Sequence, residues 1–310
     1  MKTAIFIDDL FLKHDTGSYH PETPERLKAI QEYFEKKNLL NQFVLLPKRF
    51  AKKSEIELVH NGPYIDFVEQ LCKKGSGYLD GDTPVSKDSC EAAKLAAGCG
   101  LEAIDQILEQ KIARAILLVR PPGHHSLKGR GMGFCLFNNI AIAARYALQK
   151  GFKKIAIVDW DVHHGNGTQD EFYREKEVLF ISIHQFPFYP GTGAIDEIGE
   201  GEGLGYTLNV PMPRGSTDAD YKKAFENRIL PKLIEYEPEL ILISAGFDAH
   251  KLDPLGGQEL TTGMFEWMTE KLLNLSKDCS KGRMISFLEG GYSLPALAES
   301  VAVHSEVMLD

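Results

Sequence analysis

Short apolar runs alternate with longer amphipathic stretches along all 310 residues of this chain. The apolar runs read as strands at Thr3–Ile7, Ala115–Val119, Lys154–Val158, Val178–Ile183, Tyr206–Val210, Leu240–Ser244 and Met284–Leu288. Most are continuous rather than alternating, the pattern of strands covered on both faces. Helices are predicted between them, at Pro24–Lys37, Ser54–His60, Pro63–Lys73, Ser89–Gln110, Phe137–Lys150, Gln169–Arg174, Asp218–Glu235, Gly257–Leu275 and Leu294–Met308. Ser89–Gln110 is rich in alanine, which favours close helix packing. Gly75–Pro84 is rich in Gly and Asp and reads as an exposed loop. This alternation predicts the α/β class, as a three-layer αβα arrangement around a mostly parallel sheet. No linker, repeat or low-complexity stretch interrupts it, so a single domain over 1–310 is expected.

Composition narrows the picture. The chain is 43% hydrophobic and carries 35 basic against 44 acidic residues, a net charge of −9. That balance argues against binding nucleic acid or an anionic membrane, while a negative rim attracts basic substrates. The five cysteines, Cys72, Cys90, Cys99, Cys135 and Cys279, are scattered and form no Cys-x-x-Cys pair. A disulfide framework or a zinc knuckle is not expected from them. The opening apolar run is too short for a signal-peptide core, and no stretch approaches the roughly 20 apolar residues that span a bilayer. A reducing cytoplasm is the expected location.

Four strands end in unusual polar sequence: Arg120-Pro-Pro-Gly-His124-His125, Asp159-Trp-Asp161-Val-His163, Ala245-Gly-Phe-Asp248 and Glu289-Gly290-Gly291-Tyr292. Singly, each has a bland reading as a cap, a turn or loop surface. Jointly they matter, because sites in parallel sheets form at the carboxyl ends of strands. Asp159, Asp161 and His163 alternate, so an extended strand would point all three the same way. The economical reading is a metal site on Asp161, His163 and Asp248. Three protein ligands with positions left open is the catalytic zinc pattern, and Fe(II), Co(II) or Mn(II) suit the same donors. His124 and His125 would supply proton transfers, and Tyr292 would donate to a developing oxyanion. Asp159 and Asn166 would orient the two histidines.

In this order, His20-Pro-Glu-Thr-Pro-Glu-Arg26, the tandem-histidine segment, Gly131-Met-Gly-Phe-Cys-Leu-Phe-Asn-Asn139, Asp159 to Gln169, Ala245 to Asp248 and Leu288 to Tyr292 resemble the zinc-dependent histone deacetylase family. That superfamily also holds acetylpolyamine amidohydrolases and shares the arginase-like α/β fold. The resemblance implies one Zn2+ on Asp161, His163 and Asp248. It makes His125 the general base and acid, His124 an electrostatic partner held by Asp159, and Tyr292 the group that polarises the scissile carbonyl. Gly133, Phe134 and Tyr189 would wall an acyl-lysine tunnel, with Gly290 contributing backbone and Arg26 below the floor. A structural K+ would use the side chains of Asp159 and Ser182 and the backbones of Asp161, His163 and Ile183.

Departures from the family pattern refine this. Asn166 and Glu289 stand where class I enzymes have aspartate and glycine, and both look like class II. Tyr189 replaces the usual tunnel phenylalanine. Leu255 occupies a gatekeeper position that is glutamate in polyamine-specific enzymes, and the Gly75–Pro84 loop is short. Asp82 in that loop is a candidate rim residue. The implied activity is hydrolysis of acetyl or other acyl groups from the Nε amine of lysine in a peptide or protein. The alternative substrate is an acetylpolyamine or another small acylated amine. An arginase-like two-manganese site would need further carboxylates, and a non-catalytic scaffold would be expected to have lost a ligand, a histidine or the tyrosine. His14, His20, His60, His164, His184, His250 and His304 receive no catalytic role.

Overall fold

A computed structural model describes residues 2–310. The strands are β1 (Thr3–Phe6), β2 (Val44–Leu45), β3 (Ser76–Tyr78), β4 (Pro84–Ser86), β5 (Arg114–Leu117), β6 (Ile155–Asp159), β7 (Val178–Gln185), β8 (Thr207–Met212), β9 (Leu240–Ala245) and β10 (Met284–Leu288). Eight of them form one sheet in the order β2-β1-β5-β10-β9-β6-β7-β8. Every neighbouring pair in it is parallel. The central strands are buried along their whole length, as continuous apolar runs require when helices cover both faces.

The helices are α1 (Glu25–Lys36), α2 (Lys53–Ile56), α3 (Gly62–Lys74), α4 (Ser89–Leu108), α5 (Asn139–Gln149), α6 (Asn166–Phe172), α7 (Asp218–Ala224), α8 (Leu230–Tyr236), α9 (Thr262–Cys279) and α10 (Leu294–Val307). Local chemistry sets several ends. Asn61 caps α3 by accepting from the Tyr64 N–H, and Gly75 closes it in the left-handed conformation at φ 94°. Asn138 caps α5 in the same manner as Asn61. One apolar core runs through the sheet and both helix layers. The five cysteines are free thiols. Among the described residues no helix is long and apolar enough to cross a membrane.

The expected elements form, with α2 ending early at Ile56, α6 beginning early at Asn166, and four further differences. The Gly75–Pro84 loop contains a hairpin, β3 against β4, and buries Thr83. Strand β2 was not expected; it is a two-residue edge strand with both side chains exposed, so no core pattern marks it. The stretch Asp218–Glu235 is helical but passes through a π-turn at Phe225–Ile229. Pro231 follows one residue later and has no N–H for the usual i→i−4 bond. Helix α9 begins at Thr262 rather than Gly257, because the chain before it is extended: Glu259 and Leu260 donate their N–H groups to Ser216 and Ala249 carbonyls.

The alanine-rich α4 packs as closely as its composition suggests. A Cβ at Gly98 would lie 2.2 Å from the Arg49 carbonyl oxygen and 2.5 Å from Ala51 N. Ala51 N is itself bonded to the Lys94 carbonyl of α4, so that backbone cannot retreat. In an isolated helix Gly→Ala is stabilising by about 1 kcal/mol. Here Gly98→Ala should lower unfolding free energy by about 2 kcal/mol through overpacking. A urea titration that found the variant more stable would contradict this packing.

Candidate active site

Strands β5, β10, β9 and β6 are consecutive in the sheet, so the polar segments that follow them emerge side by side. They meet at a cavity of about 230 Å³ lined by Asp82, Pro122, His124, His125, Gly133, Phe134, His163, Phe188, Tyr189, Leu255, Gly290 and Tyr292. The extended reading of Asp159, Asp161 and His163 is corrected here. β6 ends at Asp159, and two successive aspartate turns follow. Asp161 N donates to Asp159 Oδ1 at 3.1 Å, and His163 N donates to Asp161 Oδ1 at 2.9 Å. Asp159 therefore faces His124, while Asp161 and His163 face Asp248.

Asp161, His163 and Asp248 converge with one ligand atom of each within 4.8 Å of the others. His163 Nδ1 lies 3.0 Å from Asp161 Oδ1 and 3.1 Å from Asp248 Oδ2. The second oxygen of each acid is held by backbone: Gly290 N donates to Asp161 Oδ2, and Val162 N donates to Asp248 Oδ1. A Cβ at Gly290 would sit 2.1 Å from Asp248 Oδ2, so glycine keeps this cradle open. Burial and the neighbouring Asp161 charge push Asp248 up to about 7, against the pull of His163. Two fully buried carboxylates and an imidazole with oriented lone pairs are a donor set that fits a divalent cation. A second close trio, His124, Cys135 and Glu289, is committed elsewhere: His124 to Asp159, Cys135 to the Gly133 carbonyl, and Glu289 to backbone N–H groups.

The tandem histidines have different environments. His124 Nδ1 is 3.0 Å from Asp159 Oδ2. Burial alone would lower His124, but the Asp159, Asp161 and Glu289 charges outweigh it and raise it to about 10. His125 Nδ1 is 2.8 Å from Asn166 Oδ1. Burial, then the His124 and His163 charges, holds His125 well below the usual histidine value. The two ring centroids lie 4.0 Å apart, with the planes tilted by 40°. Tyr292 is held by its backbone N–H, which donates to Asp253 Oδ2 at 2.6 Å.

The cavity walls are aromatic. Phe134 sits at φ 70°, unusual for a side-chain-bearing residue, directly after Gly133 at φ 54°. A Cβ at Gly133 would come within 2.4 Å of the His125 ring. Tyr189 meets His125 edge-on at 5.2 Å and remains partly exposed at the mouth. Phe188 stacks on His163 at 5.3 Å and adds a wall residue that the sequence motifs do not mark. His20, left without a role, belongs to the rim. Its Nε2 bonds the Asp82 carbonyl, and its ring packs on Phe134 at 4.5 Å. Asp159 and Ser182 are register partners on β6 and β7, and Ser182 Oγ bonds His184 Nδ1 at 2.9 Å.

Beneath the cavity, Arg26 donates to the Gly291 carbonyl at 2.6 Å and the Glu289 carbonyl at 2.5 Å. Its guanidinium lies 5.0 Å from the Tyr292 ring centre. Glu22, also fully buried, accepts from Arg26 at 3.0 Å and from Arg120 at 2.5 and 2.8 Å. Neither Glu22 nor Arg120 was assigned a function from sequence, though both lie in quoted motifs.

A parallel α/β sheet with an acid–imidazole trio under paired histidines at its carboxyl edge has the architecture of a hydrolase. The profile of the histone deacetylase domain matches residues 20–308, and the chain belongs to the histone deacetylase family. An uncharacterized protein of Synechocystis is 42% identical over 96% of each chain. A probable deacetylase of Archaeoglobus fulgidus is 41% identical over 95% of this chain and 82% of its own. The crystal structure of the HDA15 HD domain superposes with a TM-score of 0.95 at 39% identity, covering 99% of this chain and 89% of that one. These relationships support a deacetylase-type enzyme.

Burial would raise Glu22, but Arg120 and Arg26 outweigh it and hold its carboxyl at about 2 against a usual 4.5. A depressed acid contributes stability that is full above the unfolded value of 4.5 and is lost as pH falls through about 2. Glu22→Gln should therefore cost on the order of 3 kcal/mol at neutral pH. The gap to wild type in urea midpoint should narrow between pH 5 and pH 2. A gap independent of pH would remove Glu22 from this role.

Proposed function

We propose that the protein is a zinc-dependent amidohydrolase that removes acetyl or other acyl groups from the Nε amine of lysine in peptides or proteins. The observation that carries this is the convergence of Asp161 Oδ1, Asp248 Oδ2 and His163 Nδ1 beside two differently partnered histidines. Asp161, His163 and Asp248 would hold the zinc ion, which when bound supplies Lewis acidity to the acyl carbonyl and lowers the pKa of water.

The chain's own groups supply the rest. An amide oxygen only accepts, so Asn166 Oδ1 places the His125 proton on Nδ1 and leaves Nε2 free to take a proton from the attacking water. His124, ion-paired with Asp159, keeps a positive charge beside the reacting centre. His125 then returns its proton to the departing lysine amine. The Tyr292 hydroxyl donates to the carbonyl oxygen as it gains charge. Phe134 and Tyr189 clasp the methylene chain, and Leu255 presents an apolar mouth to it. Asp159 and Ser182, with the backbones of Asp161, His163 and Ile183, remain our assignment for a potassium ion.

Asp82 at the mouth supports a second reading, acetylpolyamine hydrolysis, because a carboxylate there would pair with a distal ammonium. Leu255 offers that ammonium nothing, which places acyl-lysine first.

Tyr292→Phe should lower kcat/KM on an acetyl-lysine peptide by about 10²–10³-fold, the worth of one oxyanion donor. His125→Ala should lose about 10²–10⁴-fold. Zinc content by elemental analysis should stay unchanged in both and fall in Asp248→Ala. Full activity in either of the first two variants would sink the mechanism. A kcat/KM for acetylputrescine orders of magnitude above that for the peptide would exchange the two substrate readings.

A further inference from the structure

Glu289 is the first residue after β10, and its side chain is fully buried. Its Oε2 accepts the Gly123 N–H at 2.7 Å and the His124 N–H at 3.3 Å. Its Oε1 accepts the Ser244 hydroxyl at 3.0 Å. Its own backbone N–H donates to the Ala245 carbonyl at 3.1 Å, and its carbonyl accepts from Arg26. One residue therefore joins the turn that follows β5 to the ends of β9 and β10. The turn is held from its other side as well. A Cβ at Gly123 would lie 2.6 Å from Asn139 N, so the backbone is pressed against the start of α5. Among the described residues, Glu289 is the sole acceptor for the N–H groups of Gly123 and His124.

Both buried N–H groups would be left without a partner if this oxygen withdrew, and the turn would be free to shift. The two ring contacts that distinguish the histidines, His124 to Asp159 and His125 to Asn166, both depend on where that turn lies. We propose that Glu289 is a positioning residue: its carboxylate oxygen clamps the Gly123–His124 backbone and thereby aims the tandem histidines. Reach and an acceptor oxygen carry the positioning; the Glu289 charge adds less to His124 than those of Asp159 and Asp161, which remain in Glu289→Gln. This inference rests on the deacetylase reading of the site.

Two conservative variants separate reach from charge. Glu289→Gln keeps the length and an acceptor oxygen, and Ser244 can turn its hydroxyl to accept from the amide. Glu289→Asp keeps the charge but draws the oxygen back by one methylene, about 1.5 Å. With zinc-loaded protein and an acetyl-lysine peptide, Glu289→Gln should hold kcat within about 3-fold of wild type. Glu289→Asp should lose about 10²-fold in kcat, the scale of a 1 Å misplacement, while KM stays within about 2-fold. The downfield proton resonance of the His124–Asp159 hydrogen bond, read without substrate, should persist in Glu289→Gln and broaden or vanish in Glu289→Asp. Should Glu289→Asp fail to fold, Ser244→Ala releases the far oxygen without touching the turn and should lower kcat about 3–10-fold at constant KM. Wild-type kcat in the Asp variant, or equal losses in both Glu289 variants, would overturn the clamp. If wild type hydrolyses no acyl amide, the deacetylase reading fails by itself, and the His124–Asp159 resonance still decides the clamp.

Discussion

Five carboxylates, Glu22, Asp159, Asp161, Asp248 and Glu289, are buried at one edge of the sheet, and the architecture around them is an answer to that cost. A charge removed from water must be paired or hydrogen-bonded, or it will neutralise. Each acid here has its own solution. Glu22 takes two arginines, and Asp159 takes a histidine. Asp161 and Asp248 share an imidazole and use their outer oxygens on backbone N–H groups. Glu289 is satisfied by backbone and a serine hydroxyl. Asp161 and Asp248 place two like charges around one imidazole, and that local excess of negative charge is what a divalent cation would relieve.

The arrangement follows from the parallel sheet. Every strand delivers its carboxyl end to the same edge, so residues far apart in sequence arrive together without long loops. The arginines extend the principle. Arg26 comes from α1, yet it braces the carbonyls of the turn that carries Tyr292. Arg120 comes from the turn after β5 and reaches Glu22 and the Phe11 carbonyl. The cavity floor is thus a network of buried, hydrogen-bonded charges, while the mouth is lined by Tyr189, Leu255 and Asp82.

Much of this was legible in the sequence, for physical reasons. Strands β5, β6, β9 and β10 are buried on both faces, so they appear as uninterrupted apolar runs, and the polar residues that follow them stand out. The pairs His124–Asp159 and His125–Asn166 were expected and are made. What escaped was set by backbone. The Asp159–His163 segment looks extended by its alternation, but aspartate side chains accepting from N–H groups two residues on turn it. Strand β2 is too short and too exposed to leave a pattern. Glu22 carries no mark of its own in the sequence and Glu289 marks only a class II likeness, because sequence does not reveal which backbone N–H or guanidinium a buried carboxylate will meet.

The strand order carries a consequence for how the protein comes into being. β10 is the final strand in the chain, yet it lies between β5 and β9 near the middle of the sheet. Until residues 284–288 are in place, the sheet is two separate pieces, β2-β1-β5 and β9-β6-β7-β8. Each piece then presents an unpaired parallel edge, the geometry that invites pairing with other chains. The turn bearing Glu289 and Tyr292 follows that strand at once, so closure of the sheet and assembly of the site are one event. A chain interrupted before it would lack the strand that joins the two halves of the sheet, and both halves would present an unpaired edge.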